Sequence, residues 1–295
     1  MKNNFEYRLY NHQPSVTIGI PVFNAEKSIK SSIESALNQD YRNIIIQIHD
    51  NFSTDSSYAI CKQMAELYSN IRLKKHSKNI GSTLNFQSIV YECRTEFLCF
   101  LGADDTISSN WVSEQIKHPD SKDFIGLGQF QLIYCFGGDD KRVEMLRPFN
   151  FTSFSSIVRR ISFIYSPIKV PRMILLWGIF STDRSSHFDH LFAGQPNGSF
   201  SDVLWSYDML KNYKTRTIGC GIYYKKYHIE SESYKLLKTK KKIFISRIIN
   251  RGLSIIFPSH FFALAKRSSI LELFFIIVLF PLFLMQSIFN FFSKN

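Results

Sequence analysis

The chain has 295 residues, of which 45% are hydrophobic and 20% are charged. This balance fits one large globular domain, alone or with an appendage, and excludes disordered, collagen-like and coiled-coil chains. Two totals are unusual, a net charge of +12 and 28 Phe. The five cysteines are scattered and lack a Cys-x-x-Cys spacing, which indicates reduced, buried thiols rather than a disulfide framework or a thiolate zinc site.

Strands and helices alternate through the first part of the chain. Apolar, β-branched runs predict strands over 16–20, 44–49, 71–75 and 96–101. Amphipathic segments between them predict helices over 25–38, 56–68 and 82–93. This alternation is typical of βαβ units that build a parallel sheet.

Beyond residue 120 the pattern is less regular. It predicts a hairpin of strands 124–135 and 142–146, a helix over 153–165, a strand over 174–181, a helix over 202–212 and a final strand over 217–227. The first part of the chain therefore offers the clearer basis for predicting a site.

Polar residues follow the predicted strands where each of them ends. They are Pro21–Asn24, Asp50–Asn51, His76–Gly81 and Asp104–Asp105. In open α/β sheets, ligands bind outside the carboxyl ends of the strands. These residues therefore predict a nucleotide site at that edge.

The acidic residues at this edge allow two interpretations. The adjacent carboxylates of Asp104 and Asp105 repel each other unless a cation or hydrogen-bond donors compensate them, and a hard divalent ion on phosphate oxygens would do so. An N-cap is the structural alternative, because Asp favours helix starts. Asp50 ends an apolar strand and can accept hydrogen bonds from a base ring or ribose, while Thr54 or Asp55 caps the next helix.

Three segments occur in order over residues 14–118: PVFNAEKSIKSSIESALNQDYRNIIIQIHDNFSTD, NIGSTLNF and FLCFLGADDTISSNW. This ordered set resembles family 2 of the inverting glycosyltransferases, and in particular bacterial surface-polysaccharide enzymes. The resemblance implies the α/β GT-A fold, a Rossmann-like and mostly parallel sheet with helices on both faces. It also implies transfer from a nucleotide-diphosphate sugar, commonly UDP-linked, with Mn²⁺ or Mg²⁺ as the cofactor.

The resemblance also implies roles for single residues. It implies that the donor is bound by Pro21, Phe23, Asn24, Asp50, Asn79, Gly81 and Asp104. The metal falls on Asp105, with Asp104 and His228 as further candidates. A general base must take the proton of the acceptor hydroxyl; the resemblance places it at Asp202, with Asp208 as the competitor and an N-cap as the structural alternative. Trp177, Trp205 and Tyr207 either line an acceptor pocket or pack in the core.

The end of the chain differs in composition from the rest. Between Ser231 and Arg267, nine Lys and Arg and one Glu give 9 − 1 = +8 of the net charge. Leu273–Phe292 follows, a nearly uninterrupted apolar run of about the length that crosses a bilayer. Basic residues beside an apolar run favour an anionic, cytoplasmic membrane face over nucleic acid, which cannot accommodate the apolar run.

The expected organisation follows from these segments. We expect a GT-A domain over 1–230 (a nucleotide-sugar half 14–118 and an acceptor half 119–230), a basic amphipathic segment over 231–267 and a hydrophobic helix over 268–295. The N-terminal sequence has charges and no apolar core segment, so it does not predict a secretory signal. We therefore expect an enzyme at the cytoplasmic face of the inner membrane, with a lipid-linked glycan acceptor of the cell envelope, such as a lipopolysaccharide precursor. The sequence leaves open whether the run spans the membrane, lies in its plane, forms a re-entrant hairpin at Pro281 or makes an oligomer contact.

Two other classes of protein are alternatives. A sugar nucleotidyltransferase would be expected to carry a Gly-rich, basic phosphate loop after its first strand, and VTIGIPVFNAE does not. A NAD-dependent enzyme would need Gly-x-Gly-x-x-Gly there. A non-catalytic, membrane-associated protein that binds a nucleotide sugar is disfavoured by the intact acidic residues.

Overall fold

The computed structural model describes residues 13–117, 123–137, 140–146, 148, 150–164, 172–183, 201–228 and 268–274. The strands are β1 (Val16–Val22), β2 (Ile44–Asp50), β3 (Ile71–Lys75), β4 (Phe97–Phe100), β5 (Thr106–Ile107), β6 (Phe124–Gly137), β7 (Asp140–Leu146), β8 (Ile179–Ser181) and β9 (Lys214–His228). The helices are α1 (Ile29–Leu37), α2 (Ser57–Leu67), α3 (Ser82–Glu92), α4 (Trp111–Ile116), α5 (Ser156–Ile164) and α6 (Ser201–Asn212), with a 3₁₀ helix at Arg172–Trp177.

These strands form one sheet in the order β3-β2-β1-β4-β8-β6-β9-β5, and β7 pairs with β6. The strands β3, β2, β1 and β4 are parallel. The strand β8 joins both β4 and β6 in antiparallel fashion, and β9 is parallel to β6. The sheet is thus parallel in its first half and mixed in its second half, which refines the expectation of a mostly parallel sheet.

The centre of the parallel half is buried on both faces. In β1, Val16, Ile18 and Ile20 on one face and Thr17 on the other are at most 1% exposed, which explains why its sequence is mostly apolar. Gly19 lies where α3 crosses this strand, and a Cβ there would come within 2.6 Å of Ile89 Cγ2. The lack of a side chain at Gly19 therefore lets α3 pack closely against the sheet.

The predicted strand over 174–181 is wrong in its first part. Residues Arg172–Trp177 form a 3₁₀ helix, and only Ile179–Ser181 pair with β4. A short apolar run cannot distinguish a buried strand from a buried helix by periodicity alone. Gly178, between the two elements, packs closely on β6, since a Cβ there would lie 2.5 Å from Ile125 Cγ2.

Near the C-terminus, residues 268–274 pack on the rest of the described structure. Residues 270–274 are helical, and Glu272 is almost fully buried against the α/β domain. The predicted segment over 231–267, and residues 275–295 of the hydrophobic helix predicted over 268–295, lie outside the described residues. Within the described ranges, no helix has both the length and the apolar character needed to cross a membrane.

The cysteines are only partly as expected. All five are free; Cys61 and Cys99 are buried, whereas Cys220 is exposed. Burial raises the pKa of Cys61 to about 12, so this thiol is protonated and unreactive.

Candidate active site

The carboxyl ends of β1, β2 and β4 meet at one edge of the sheet. Val22 at the end of β1 pairs with Asp50 at the end of β2, and β4 runs beside β1 into Gly102 and the acidic pair. The predicted residues after these strands are therefore brought together, as parallel strands require.

Asp50 is fully buried, and its two carboxylate oxygens have different surroundings. Oδ2 accepts a hydrogen bond from the backbone N–H of Ser53 at 3.1 Å. Oδ1 is buried and accepts no hydrogen bond from the described residues. An unsatisfied buried carboxylate oxygen costs free energy, so this atom is an acceptor to which a ligand can donate.

The loops after β1 and β2 are joined by hydrogen bonds. Asn24 adopts a left-handed backbone (φ 48°), donates its N–H to Ser53 Oγ at 3.0 Å and accepts the N–H of Thr54 at 2.9 Å. Phe23, beside it, is 46% exposed, so its ring lies on the rim of this edge. Pro21, by contrast, stays within β1 opposite His49.

A second connection joins the same two loops. Glu26 donates its N–H to Asp55 Oδ2 at 3.1 Å, and its own carboxylate accepts the N–H of Ser56 at 3.0 Å. Burial opposes ionisation of Asp55, but hydrogen bonds from Ser57 and Glu26 outweigh it and lower the pKa of Asp55. Asp55 Oδ1 also accepts the N–H of Ser57 at 3.0 Å, so Asp55 has a structural role at the start of α2, although the N-cap residue is Ser56 rather than the predicted Thr54 or Asp55.

Asn79 and Gly81 shape the loop before α3, next to the end of β2. Asn51 donates from Nδ2 to Asn79 Oδ1 at 3.0 Å and accepts the N–H of Ile80 at 2.9 Å. Gly81 has φ 84°, a backbone conformation that favours glycine, and its N–H also reaches Asn79 Oδ1. Asn51, which the sequence places at the predicted site edge without assigning it a role, is thus a positioning residue that holds the Asn79 loop against the end of β2.

The carboxylate of Asp105 is surrounded by hydrogen-bond donors of the protein, which disfavours the metal-binding role expected for it. Its Oδ2 accepts hydrogen bonds from the Tyr223 hydroxyl at 3.0 Å and from Lys225 Nζ at 2.9 Å, and its Oδ1 accepts the N–H of Lys226 at 2.8 Å. The residue is fully buried. A metal on Asp105 would have to displace the Lys225 ammonium.

Asp104 is the more accessible of the two acids. Its side chain is partly exposed and lies beside Gly102, where a Cβ would come within 3.2 Å of Asp104 Oδ1 and 2.5 Å of Asp105 Oδ2. The helix α1 holds this turn, because Ser28 Oγ donates to the carbonyl of Ala103 and Ser32 Oγ to that of Asp105. Asp104 thus faces the edge while Asp105 faces the interior.

Strand β9 supplies residues that the sequence did not reveal. Burial and the Asp105 carboxylate raise the pKa of Tyr223 well above its ordinary value, so its hydroxyl remains a donor. The Lys225 ammonium lies 4.2 Å from the ring centre of Trp177 and is 14% exposed. It places a positive charge beside the acidic pair, which suits a site for phosphate.

The candidate bases lie on α6. Asp202 is the second residue of this helix, and His228 is the last residue of β9; the side chains of both lie outside the described part of the chain. Asp208 Oδ1 is 3.8 Å from Arg160 Nη2, so it belongs to an ion-pair cluster with a structural role. Trp205 and Tyr207 are fully buried core residues rather than pocket walls.

A divalent metal fits this site through one carboxylate. Within the described ranges, no group of three or more His, Cys, Asp or Glu side chains could hold a metal. Mg²⁺ is nevertheless often bound by one or two carboxylates together with substrate phosphates. Asp104 is the described side chain that can serve in this way.

The sheet and its acidic edge define an α/β domain of the GT-A class. The chain belongs to glycosyl transferase family 2, whose sequence model matches residues 17–180. Among relatives, the minor teichoic acid biosynthesis protein GgaA of Bacillus subtilis is 35% identical over 99 residues, 32% of this chain and 22% of GgaA. The chondroitin synthase of Escherichia coli is 31% identical over 112 residues, 38% of this chain and 16% of the synthase.

Solved structures support the same fold. The crystal structure of residues 1–349 of Staphylococcus aureus TarS has a TM-score of 0.56 at 16% identity and covers 81% of this chain and 73% of that chain. The same fragment has been solved with UDP and with UDP-GlcNAc, at TM-scores of 0.55 and 0.52. The matches to the curated relatives extend over less than half of each relative's length.

Proposed function

We propose that the protein transfers a sugar from a UDP-linked donor to an acceptor hydroxyl, with inversion at the anomeric carbon. The observation that carries the proposal is the unsatisfied Oδ1 of Asp50, which lies at the sheet edge where a nucleotide binds in this class. A uracil ring can donate its imide N–H to this carboxylate oxygen. TarS binds UDP and UDP-GlcNAc on the same fold, which supports this choice of donor.

The diphosphate would lie beside the acidic turn. Asp104 would hold Mn²⁺ or Mg²⁺ together with the phosphates. The solved structure of GalNAc-T7, which is similar in fold, contains UDP, GalNAc and Mn²⁺. When bound, the metal stabilises the charge that develops on the leaving diphosphate. Lys225 adds a second positive charge from β9, and its ion pair with Asp105 keeps the ammonium oriented.

The acceptor hydroxyl must lose a proton as it attacks the anomeric carbon, and one carboxylate within hydrogen-bond reach suffices for this. We assign this role to Asp202 in the first turn of α6. Asp208 is the weaker candidate for the base, because its carboxylate faces Arg160.

We further propose that the acceptor is a lipid-linked glycan of the cell envelope and that the C-terminal segments hold the enzyme at the cytoplasmic face of the inner membrane. The +8 charge of the sequence between Ser231 and Arg267 and the apolar run after it support this location. The similarity to a teichoic acid biosynthesis protein is in keeping with an envelope polymer.

The proposal is tested by titrating UDP into the wild type, Asp50→Asn and Asp40→Asn. We expect Asp50→Asn to weaken UDP binding by about 10- to 150-fold, which is the worth of ~1.5–3 kcal/mol for a hydrogen bond to a charged group. Asn at position 50 keeps an oxygen that accepts the Ser53 N–H. It also replaces the charged Oδ1, which receives no hydrogen bond from the described residues, by a neutral amide group, so we expect the unfolding temperature not to fall. Asp40, exposed near the start of β2, should behave as the wild type.

Equal UDP affinity in all three proteins would refute the donor site. UDP binding without transfer to any lipid-linked acceptor would instead favour a non-catalytic nucleotide-sugar-binding protein.

A further inference from the structure

The short C-terminal segment 268–274 is attached to the α/β domain by a buried ion pair. The Nη1 atom of Arg160, on α5, donates to Glu272 Oε1 at 2.8 Å and to Oε2 at 2.9 Å. The Arg160 and Glu272 side chains are 5% and 1% exposed. A buried ion pair with this geometry fixes the relative position of the two elements that carry it.

The same cluster connects the segment to α6. The guanidinium carbon of Arg160 lies 3.9 Å from the ring centre of Tyr207, and the Tyr207 hydroxyl is 2.7 Å from Ser268 Oγ. Burial raises the pKa of Tyr207 to about 12, although Arg160 opposes this, so the phenol stays neutral. The helix that begins beside the proposed base is therefore in direct contact with residues 268–274.

The orientation of the segment is set locally as well. Ser269 donates its N–H to Glu272 Oε2 at 2.6 Å, and Glu272 donates its N–H to Ser269 Oγ at 3.2 Å. This reciprocal pair is a capping box, which starts the helix at residues 270–274. Because Glu272 must face Arg160, the neighbouring side chains are turned away from the domain.

Those neighbours are large and apolar. Ile270 is 91% exposed, Leu271 52% and Phe274 57%. Three such side chains within five residues form an apolar surface that water solvates poorly. The sequence continues with the apolar run to Phe292 and is preceded by the +8 segment, so the partner that fits is an anionic lipid surface.

We propose that residues 268–274 are a rigid bilayer-docking element of the catalytic domain. The ion pair of Glu272 with Arg160 holds the element, and Ile270, Leu271 and Phe274 enter the headgroup region of an anionic membrane. The contact with Tyr207 then holds α6 at a fixed height above the bilayer, where the hydroxyl of a lipid-linked acceptor arrives. This inference rests on the proposed membrane association and specifies which residues make it.

The test uses the full chain with Cys220→Ser, which removes the exposed native thiol. A cysteine is placed at Ile270 or Leu271 and labelled with an environment-sensitive dye. Leu67→Cys, at a 68% exposed site at the end of α2, is the matched control. Vesicles contain either phosphatidylcholine alone or phosphatidylcholine with phosphatidylglycerol.

With anionic vesicles, we expect a blue-shifted emission and at least about five-fold protection from an aqueous quencher at position 270 or 271, and no change at position 67. If these labels stay water-exposed while the chain sediments with vesicles, the chain associates with membranes, but residues 268–274 are not its docking element, and the inference is wrong. Protection without vesicles would show that protein covers the surface, which also overturns the inference. UDP binding, measured on the same samples, reports separately on the donor site.

The anchoring role of Glu272 needs its own measurement. Spin labels at Leu67 and Leu271 should give a narrow distance distribution on anionic vesicles, and Glu272→Gln should broaden it. The paired replacement of Arg160 by Met and Glu272 by Leu keeps the site filled without charge, which controls for misfolding. A broad distribution in the otherwise unmodified chain would show that the segment is not rigidly attached.

Discussion

Two adjacent acids, Asp104 and Asp105, lie in different surroundings, and their replacement should therefore have different effects. Asp105 accepts hydrogen bonds from Tyr223, Lys225 and Lys226, so Asp105→Asn leaves a largely buried ammonium without its carboxylate. We expect a loss of about 2–4 kcal/mol in the free energy of unfolding, measured in urea. Asp104→Asn should destabilise less and reduce metal-dependent transfer more. An Asp105→Asn protein of normal stability that no longer binds metal would return the metal role to Asp105.

His49 gives the chain a predictable response to acid. The pKa of His49 is lowered to about 4, mainly because the ring is buried. The charges of Lys74 and His76 also lower this pKa, and the charge of Glu92, which raises it, is too weak to offset the burial. Its Nε2 faces Gln47 Nε2 at 2.9 Å and its Nδ1 faces Ser88 Oγ at 2.6 Å, an arrangement that suits the neutral ring.

Because the pKa of His49 lies below that of an unfolded histidine, its contribution to stability is complete above about pH 6.5 and is lost as the pH falls towards 4. The free energy of unfolding should fall by up to ~1.4 kcal/mol per pH unit in this window for the one proton involved. Denaturant titrations between pH 5 and 7 measure this slope, and His49→Gln should flatten it. An unchanged slope in that variant would assign the acid sensitivity to other groups.

At the scale of elements, we expect a substitution at the start of α6 to reduce sugar transfer without changing the affinity for UDP. Asp202→Asn replaces the second residue of α6 by its near-isosteric amide, so we expect the fold to be kept, but it removes the proposed base. We expect transfer to fall by at least about 100-fold while UDP affinity stays the same, as measured by product formation and by titration. Asp208→Asn, beside Arg160, is the matched control and should keep its activity. The reverse pattern would make Asp208 the base.

Elements of the first half could be predicted because local patterns encode them. The strand β3 was predicted at its observed bounds, and α2 and α3 were predicted to within a residue at each end. The contacts of Asp105 with Lys225 and of Arg160 with Glu272 join residues 120 and 112 positions apart, which no periodicity reports. The predicted edge residues came together, but only the fold shows that Asp105 points inward.

At the scale of the whole molecule, residues 268–274 lie beyond the predicted domain boundary at residue 230, yet Glu272 is buried and paired with Arg160 of the α/β domain. A chain that ends at Phe274 keeps Glu272, whereas a chain that ends at Arg267 leaves Arg160 with Asp208 at 3.8 Å and without its closest carboxylate. We expect the shorter chain to lose on the order of 2–4 kcal/mol in the free energy of unfolding, because loss of Glu272 leaves the buried charge of Arg160 without its main partner.

Arg160→Met in the shorter chain should recover part of this loss, since the apolar side chain can pack on Tyr207 without a partner charge. Thermal and urea unfolding of the three proteins, in detergent where solubility requires it, measure the difference. If the chains that end at Phe274 and Arg267 were equally stable, the Glu272 contact would contribute nothing, and the segment would be separate from the catalytic domain.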